Sequence, residues 1–367
     1  MKCMSDSILL STLQEYHRLD IPTQIDYKKF YLYSIITHST AIEGSTVTEI
    51  ENQLLFDEGI TAPGRTLQEQ MMNLDLKAAY EEGIRMTQQH TPYSVDMLCY
   101  LSSIVLKNTG STYNTPLGTF SAAKGELRKL NVTAGFGGRS YLAFQKVLQA
   151  LQDFCLWLNN ARAITPKDSI LAWYRLSFEA HYRLVTIHPW ADGNGRMSRL
   201  VMNMLQFEQN LVPVKVLKEQ KAAYIEALNK TRDNEDINIF CDTMLQLHNS
   251  NLQTEIAEFK ASMLQDTILP ASAYVTQNNT RVTQNVTQSS FNVPSIENTP
   301  LTSRQRQILQ MMQTDTSVSA STMAAQLGIT VRTVRRDIEA LRHYYNILWL
   351  GSSKQGHWQI LPQHIEQ

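Results

Sequence analysis

The sequence predicts a mainly α-helical protein that carries one β-hairpin and ends in a small winged-helix domain. Apolar residues recur every three to four positions through most of residues 1–265, which is the spacing of helices that bury one face. Clustered glycines interrupt this spacing between residues 110 and 138. Residues 301–367 follow an order of their own, three short helices and then two strands.

Composition indicates an ordinary globular protein of two or three domains. The chain has 367 residues, a formal net charge of −1 and 43% hydrophobic residues, which excludes an acidic disordered chain and a basic nucleic-acid coat. Its four cysteines are scattered without the spacing of a zinc site or a disulfide framework, so we expect a reducing, cytoplasmic environment. We find no secretory leader and no apolar run of membrane-spanning length, and we expect no membrane partner.

The first predicted helix places a hydroxyl and a carboxylate on one face. Apolar spacing over residues 27–38 predicts this helix, and it runs on into Ser39 and Glu43, four residues apart. A carboxylate at a helix C-terminus lies unfavourably in the helix dipole, which suggests a compensating cation nearby. The plain alternative is a helix end with Gly44 as its left-handed stop. Further helices are predicted from Thr46 or Thr48 to Leu55 and over residues 65–86, 94–106, 141–160, 166–186, 217–228 and 237–263.

The glycine-rich region contains one predicted strand. Residues 127–133, which include Arg128, Leu130 and Val132, read as a strand that enters a tight turn at Ala134 and Gly135. A surface hairpin without a role in binding is the plain alternative.

An acidic, glycine-rich loop ends at the start of a predicted helix near Asn194. Apolar residues resume at 200, 201, 204 and 205, so the loop meets a helix N-terminus, whose unpaired N–H groups attract anions. Gly193 and Gly195 carry no side chain that could keep a phosphate from these donors. The alternative is a glycine turn with a helix-capping Asp or Asn.

Four charged or titratable side chains flank this loop. Arg196 and Arg199 are three residues apart, on neighbouring positions of one helix face, and each can bind phosphate oxygens with its forked guanidinium. Asp192 is the kind of oxygen ligand that Mg²⁺ uses when it is shared with nucleotide phosphates. His188 can accept a proton near neutral pH. Together these residues predict a site for phosphate transfer.

The string from 188 to 199, HPWADGNGRMSR, resembles the signature of the Fic family, which reads histidine-proline-aromatic-any-acidic-glycine-asparagine-glycine-arginine-any-any-arginine. Trp190 stands where the family usually has phenylalanine, and both are apolar anchors. The resemblance implies a Fic-type helical bundle with a β-hairpin flap. It also implies a protein adenylyltransferase that transfers AMP from ATP, with Mg²⁺, to a Tyr, Thr or Ser hydroxyl of a target protein or of itself.

The resemblance assigns roles to the loop. It implies that His188 is the base and that Asp192 holds Mg²⁺. Phosphate binding falls to the glycines, the asparagine and the arginines that follow, Gly193, Asn194, Gly195, Arg196 and Arg199. Relatives that transfer the γ-phosphate instead have lysine at the position of Gly195, so the resemblance favours AMP transfer.

Three further segments resemble parts of the family. The segment from Ser39 to Gly44 is similar to the inhibitory motif of the family. In that family the glutamate of the motif, here Glu43, pairs with the second arginine of the signature, here Arg199. The resemblance therefore implies a resting enzyme that is largely inactive. Gly125 to Arg128 is similar to the opening of the flap, whose edge (Arg128, Leu130, Val132) would dock the target peptide by backbone pairing. Tyr224 stands where the family often has an aromatic residue near the adenine, although a packed core position is the equal alternative.

The C-terminal part consists of a linker and a winged helix-turn-helix domain. We expect domains at 1–95, which holds the inhibitory motif, at 96–265, the catalytic core, and at 301–367, with a Thr/Gln-rich linker over 266–300. Thr330 caps the third helix, which extends to residue 344. Its outward side chains are the candidates for DNA contact, Arg332, Thr333, Arg335 and Arg336. Residues 347–349 and 357–360 form the wing. Winged helices also bind proteins, so DNA is one of two candidate partners.

Other functions compatible with these features stay open. The chain could be a DNA-binding regulator whose Fic domain only senses nucleotide, but retention of His188 speaks against this because phosphate binding needs no base. Glu43 could instead position water to remove AMP from modified targets. A second copy of the chain, in a homodimer, is a further candidate partner.

Overall fold

The computed structural model describes residues 4–24, 26–134, 138–268, 302–342, 345–350 and 357–362. It divides into two units, Met1–Leu269 and Pro270–Gln367. The predicted domain bounds at 95 and 265 stay predictions. One helix continues past residue 265 to Ile268, into the stretch predicted as a linker. From residue 269 to 301 the predicted linker lies outside the described residues.

The first unit is a helical bundle, which confirms the predicted fold class. Its helices are α1 (Met4–Arg18), α2 (Tyr27–Ile42), α3 (Glu49–Glu58), α4 (Leu67–Gln88), α5 (Val95–Val105), α6 (Val147–Ile164), α7 (Ile170–Ile187), α8 (Asn194–Glu208), α9 (Lys221–Asn234) and α10 (Ile237–Ile268). The first of these, α1, was not predicted from the sequence.

Side-chain caps explain where several helices begin. Thr48 caps α3 and forms a reciprocal capping box with Glu51, and Thr66 does the same for α4 with Glu69. Ser94 caps α5 by accepting a hydrogen bond from the backbone N–H of Met97. The first of these caps fixes the start of α3, the helix that follows the segment after Glu43.

Helix α8 lies in the middle of the core. Residues from Asn194 to Gln206 are buried with the sole exception of Gly195, and the helix packs against α4, α5 and α7. A helix that is buried on all sides is held in position by its neighbours on every face. The loop that precedes α8 is therefore attached to a helix that its neighbours hold in position.

The β-structure differs from the prediction. An antiparallel hairpin forms earlier in the chain, between β1 (Thr112–Thr115) and β2 (Gly118–Ser121). The predicted strand over 127–133 was wrong in extent, since only Thr133 forms a bridge, with Ser140, and the Tyr141 N–H donates to the Val132 carbonyl at 3.0 Å. Within this stretch the Leu130 carbonyl accepts from Arg128 Nη1 at 2.8 Å, so its partner is a side chain of the same stretch and not a neighbouring strand. The turn at 135–137 lies outside the described residues.

The second unit has the predicted order of helices and strands. It consists of α11 (Ser303–Thr314), α12 (Ala320–Leu327), α13 (Val331–Arg342), β3 (Tyr345–Leu350) and β4 (His357–Pro362), the two strands being antiparallel. Thr302 and Ser319 cap α11 and α12, and Thr330 accepts from the Thr333 N–H at the start of α13. Its core comprises Ile308, Leu309, Met312, Met323, Val334, Ile338 and Leu341. The wing tip lies outside the described residues.

Within the described ranges, none of the helices combines the length and the apolar character that crossing a bilayer requires.

Candidate functional site

The loop between α7 and α8 begins and ends in left-handed backbone conformations. His188 closes α7 with φ of 54°, and Gly193 precedes α8 with φ of 76°. Left-handed backbone is unfavourable for a residue with a side chain, so the conformation of His188 needs support from its surroundings. The His188 N–H donates to the Leu184 carbonyl at 3.1 Å, and its carbonyl accepts from Arg128 Nε at 2.7 Å. The turn thus carries His188 on a fixed main chain.

Trp190 and Asn194 close the loop on itself. The Asn194 side chain accepts from the Trp190 N–H at 3.1 Å and donates to the Trp190 carbonyl at 2.9 Å. The indole of Trp190 is fully buried and donates from Nε1 to the Gly125 carbonyl at 3.1 Å. The Asn194 side chain therefore shapes the loop. Its backbone N–H remains as the group that could bind a ligand at the helix N-terminus.

The His188 imidazole is a neutral base with its orientation fixed on two sides. Its Nδ1 lies 3.2 Å from the Val185 carbonyl, so we assign the proton to Nδ1 and the lone pair to Nε2. The ring stacks on Tyr141, with centroids 3.7 Å apart and planes 17° apart. Burial lowers the pKa of His188 to about 4, with a further contribution from the Arg128 charge, against the opposing hydrogen bond to Val185. At neutral pH His188 is therefore ready to accept a proton.

Glu43 lies at the N-terminus of α8. A Cβ built on Gly195 would be 2.5 Å from Glu43 Oε1, so the carboxylate lies directly against the Gly195 backbone. The N-terminus of a helix attracts negative charge, and here it faces a carboxylate of the chain itself. Residues 39–43 and 193–199, which are far apart in sequence, thus form one site.

Arg199 holds Glu43 in this position. Its Nη2 donates to Glu43 Oε1 at 2.6 Å and to the Ser39 carbonyl at 3.0 Å, and its Nε donates to Ser39 Oγ at 2.8 Å. The Arg199 side chain is 4% exposed and that of Glu43 is 34% exposed. Burial of Glu43 works against its ionisation, but the guanidinium of Arg199 outweighs it and holds the pKa of Glu43 below its usual range. The pair is ionised at neutral pH.

Arg196 is a buried cation with weak partners. Its side chain is 2% exposed, and its Nη groups lie 3.4 Å from the Val105 carbonyl and 3.5 Å from Asp192 Oδ2. Its Nε has no hydrogen-bond partner in the part of the chain that the structure describes. Burial lowers the pKa of Arg196. Because buried polar groups are nearly always hydrogen-bonded, this donor without a partner among the described residues is a candidate for binding an anionic ligand.

Asp192 fits a magnesium ion that is shared with phosphates. Its side chain is 57% exposed, and Oδ1 accepts from the Gly193 N–H at 2.6 Å. Among the described residues no group of three or more His, Cys, Asp or Glu side chains surrounds a common point. One exposed carboxylate is what a Mg²⁺ site needs from the protein when phosphate oxygens and waters supply the other ligands.

The predicted flap residues behave differently from one another. Arg128 is 2% exposed, and its guanidinium donates to the carbonyls of His188, Leu130 and Leu142. Its side chain is therefore unavailable to a target, and it holds the segment against the His188 loop instead. Leu130 and Val132 are half-buried, and their contact with a target peptide stays a prediction.

Tyr224 is buried, with 1% exposure. Its hydroxyl lies 2.8 Å from His181 Nε2. Both alternatives that the sequence left open, a packed core position and a position near the adenine, stay predictions.

The candidates for DNA contact share α13 in the second unit. Arg332, Thr333, Arg335 and Arg336 fall within its first six residues, and the Thr333 N–H belongs to the cap at Thr330. Arg336 Nε lies 3.8 Å from Asp337 Oδ1, and the side chains of Arg332 and Arg335 lie outside the described residues. Their contact with DNA stays a prediction.

Sequence reasoning missed two residues of the site. Tyr141 stacks on His188, although the sequence predicted it to start a helix. The available signal was that Tyr141 lies eight residues after Thr133, at the end of a glycine-rich stretch. Asn73 of α4 was also missed. Its side chain accepts from Thr40 Oγ1 at 2.8 Å and donates to Ser45 Oγ at 3.2 Å, on either side of Glu43. A single buried asparagine within a helix gives no signal in the sequence.

Comparison with known proteins finds a partial match to each unit. Residues 92–206 match the Fic/DOC family, and residues 304–348 match an HTH domain. Among curated proteins, the chain is 25% identical over 236 residues to the protein adenylyltransferase fic-1 of Caenorhabditis elegans, covering 64% of this chain and 42% of that protein. It is 29% identical over 211 residues to the protein adenylyltransferase Fic of Drosophila melanogaster, covering 57% and 39%. The chain thus spans about two fifths of the length of these relatives.

Solved structures share the fold. A Fic domain containing signaling protein from Bacteroides thetaiotaomicron aligns with a TM-score of 0.56 at 19% identity, covering 69% of this chain and 97% of that one. A Fic family protein from Desulfovibrio desulfuricans aligns with a TM-score of 0.55 at 15% identity, covering 98% and 97%. At these identities the likeness concerns the fold alone.

Proposed function

We propose that this chain, in which residues 92–206 match the Fic/DOC family and residues 304–348 match an HTH domain, is a protein adenylyltransferase whose resting form is held inactive by Glu43. The substrates are ATP, with Mg²⁺, and a Tyr, Thr or Ser hydroxyl of a target protein or of the chain itself. The names of the relatives, adenylyltransferases from worm and fly, support this reaction.

The observation that carries the proposal is the position of Glu43 Oε1. It lies 2.6 Å from Arg199 Nη2 and against the Gly195 backbone, where the anion-binding end of α8 and the second arginine meet. A nucleotide phosphate would need the same helix terminus and the same guanidinium. Departure of Glu43 is therefore the step that permits productive ATP binding.

The side chains around the loop supply the rest of the reaction. The target hydroxyl oxygen forms a bond to the α-phosphorus of ATP, the bond from that phosphorus to the β-phosphate oxygen breaks, and pyrophosphate leaves. His188 Nε2 takes the hydroxyl proton, since its Nδ1 already faces the Val185 carbonyl. Arg196, with its free Nε, and the N–H groups of α8 neutralise phosphate charge. Asp192 would hold Mg²⁺, which neutralises phosphate charge when bound.

Labelling with ATP tests the proposal. Wild type, Glu43→Gly and Glu43→Gly with His188→Ala are incubated with ATP carrying the radiolabel on the α-phosphate or on the γ-phosphate. We expect Glu43→Gly to raise α-label incorporation at least tenfold over wild type, on the order expected when a competing charged partner is removed, and the double variant to lose it. Glu235→Gly, which changes the glutamate that ends α9, is the matched control and should label as wild type. Equal labelling of all variants, or transfer of the γ-label, contradicts the proposal.

The HTH match favours DNA binding as a second function of the C-terminal unit. Helix α13 carries three arginines in its first six residues, where a recognition helix reads the major groove. The test is a gel shift with DNA from the chain's own genome. We expect a salt-sensitive shift that Arg335→Ala with Arg336→Ala abolishes. The absence of a shift with any genomic fragment would favour a protein partner.

A further inference from the structure

The end of α5 forms a wall behind the loop between α7 and α8. A Cβ built on Gly193 would lie 3.1 Å from Leu106 Cδ1, so the loop backbone packs closely against the Leu106 side chain. The carbonyl of Val105 accepts from Arg196 Nη1 at 3.4 Å. Two consecutive residues at one helix end thus support both the turn that precedes α8 and the guanidinium in its first turn.

These two contacts tolerate little displacement of the helix end. A donor–acceptor distance of 3.4 Å is already longer than that of a usual hydrogen bond, so a further shift of the Val105 carbonyl away from Arg196 would break it. The Leu106 side chain leaves almost no space beside Gly193, so this packing is equally close. The geometry of the loop therefore depends on where α5 ends.

Asp75 of α4 holds this helix end. It is 3% exposed, its Oδ2 accepts from the Asn108 N–H at 2.8 Å, and its Oδ1 accepts from Asn108 Nδ2 at 2.6 Å. The carboxylate thus binds both the main chain and the side chain of a residue two positions after Leu106. A charge removed from water is costly unless it is hydrogen-bonded, and here one residue satisfies both carboxylate oxygens.

The other described hydrogen bonds of the turn that follows α5 are local. The N–H groups of residues 107, 109 and 110 donate to carbonyls of the last helical turn, those of Ile104 and Leu106. Such bonds shape the turn but do not attach it to a neighbouring helix. Among the described residues, the turn at 106–110 is therefore hydrogen-bonded to another helix through Asp75 alone.

We propose that Asp75 is a positioning residue that, through Asn108 and the end of α5, keeps Gly193 and Arg196 in place for a nucleotide phosphate. This role rests on the proposed function and deepens it, because it concerns phosphate binding at the same loop. Asp75 acts through the main chain of α5 and needs no contact with the ligand. Loss of its two hydrogen bonds leaves the loop residues intact but allows their support to shift.

Helix α5 has a matching attachment at its other end, which provides a control. Asn159 of α6 accepts from the Tyr93 N–H at 2.9 Å and donates from Nδ2 to the Tyr93 carbonyl at 2.8 Å. Tyr93 directly precedes Ser94, the residue that caps α5. Removal of either attachment costs two hydrogen bonds, but only the attachment at Asp75 lies at the end that meets the loop.

The experiment compares Asp75→Ala with Asn159→Ala, each in the Glu43→Gly background of the 367-residue chain. Calorimetry with α,β-methylene ATP, which cannot transfer AMP, gives the Kd, and self-labelling gives KM and kcat. We expect Asp75→Ala to raise Kd and KM about tenfold, on the order expected for loss of hydrogen bonds to a charged group, with kcat changed less than KM. Asn159→Ala should bind as its parent does. Equal Kd values for the two variants overturn the inference.

Asp75→Asn separates hydrogen bonding from charge. An amide at this position still accepts from the Asn108 N–H, and the Asn108 side chain can turn over to accept from the new amide. We expect a Kd within about twofold of that of the parent. Binding as weak as that of Asp75→Ala would show that the charge of Asp75, and not its hydrogen bonds, supports the site, and would overturn the inference.

Asn108 provides a second measurement should Asp75→Ala fail to fold, because Asn108 is exposed. Asn108→Asp sets two carboxylates against each other and should weaken binding of the analogue severalfold. Adding Asp75→Asn should restore binding, since the amide then donates to the new carboxylate. Absence of this restoration overturns the inference. If the Glu43→Gly parent binds no analogue at all, the proposed function itself fails; if the parent binds and all variants bind equally, only the role of Asp75 fails.

Discussion

Tyr141 covers one face of the His188 imidazole, with ring centroids 3.7 Å apart. The guanidinium carbon of Arg232 lies 5.9 Å from the Tyr141 ring, and Arg139 pairs with Asp233, so two residues of α9 hold this segment in place. The stack fixes the plane of the imidazole and helps to exclude water from it. The base of the proposed reaction is thus held by a residue outside the loop.

Removal of the Tyr141 ring should change the titration of His188. Burial lowers the pKa of His188 to about 4, so Tyr141→Ala, which readmits water, should move that pKa up toward the ordinary value of about 6.5. NMR titration of the imidazole protons measures it directly. Tyr141→Phe, which keeps the stack, should titrate as wild type. An unchanged pKa in Tyr141→Ala would show that the stack does not shield His188.

The same change should move the pH dependence of self-labelling. Because the neutral imidazole is the base, the rate falls where His188 becomes protonated. In the Glu43→Gly background the acid limb should therefore lie at higher pH for Tyr141→Ala than for Tyr141→Phe. Coincident profiles would contradict the assignment of His188 as the base.

Asn73 should be needed for inhibition. It is fully buried and binds Thr40 and Ser45 on the two sides of Glu43, so Asn73→Ala loosens the end of α2 without touching the phosphate loop. We expect self-labelling severalfold above wild type, since loss of a buried hydrogen-bond partner commonly costs about 1–3 kcal/mol. The same substitution in the Glu43→Gly background should change labelling little. Loss of labelling there would indicate misfolding, which a thermal melt checks.

Gly195→Ala should abolish nucleotide binding even without Glu43. The added Cβ would lie 2.5 Å from Glu43 Oε1 and 3.1 Å from Arg199 Nη1, in the space that a phosphate needs against the helix N-terminus. We expect Gly195→Ala combined with Glu43→Gly to incorporate no more label than His188→Ala combined with Glu43→Gly. Full labelling would place the phosphate elsewhere.

Stability should fall with acidity because of His248. Burial lowers its folded-state pKa to about 3, below the unfolded value of about 6.5, so the unfolded chain binds the proton more readily. The contribution of neutral His248 to the free energy of unfolding is fully present above pH 6.5 and is lost as pH falls toward 3. For one histidine the loss between pH 6.5 and 5 is about 2 kcal/mol. Denaturant melts of wild type and His248→Gln measure this slope, which should be shallower in the variant. Equal slopes would contradict the assignment.

The sequence alone was sufficient for features that depend on local chemistry. Caps at Thr48, Ser94, Thr302 and Ser319 mark helix starts, because a side-chain oxygen satisfies a backbone N–H within three residues. The pair of Glu43 with Arg199 was implied only by the resemblance of residues 39–44 and 188–199 to the Fic family, and the structure brings Arg199 Nη2 within 2.6 Å of Glu43 Oε1.

Features that depend on long-range packing could not be predicted in this way. The strand expected at 127–133 is reduced to one bridge at Thr133, and Arg128 of that stretch instead binds the His188 carbonyl, 60 positions away. The Tyr224 hydroxyl contacts His181 because of how α9 packs, which helical spacing does not specify. Tyr141 stacks on His188, which lies 47 positions later in the chain.

The affinity of the unlabelled protein for ATP tests the central claim most directly. If the Glu43 carboxylate occupies the phosphate position at Gly195 and Arg199, calorimetry should give a Kd for ATP at least tenfold lower for Glu43→Gly than for wild type, the order expected when a charged competitor is removed. Equal Kd values for the two proteins would contradict it.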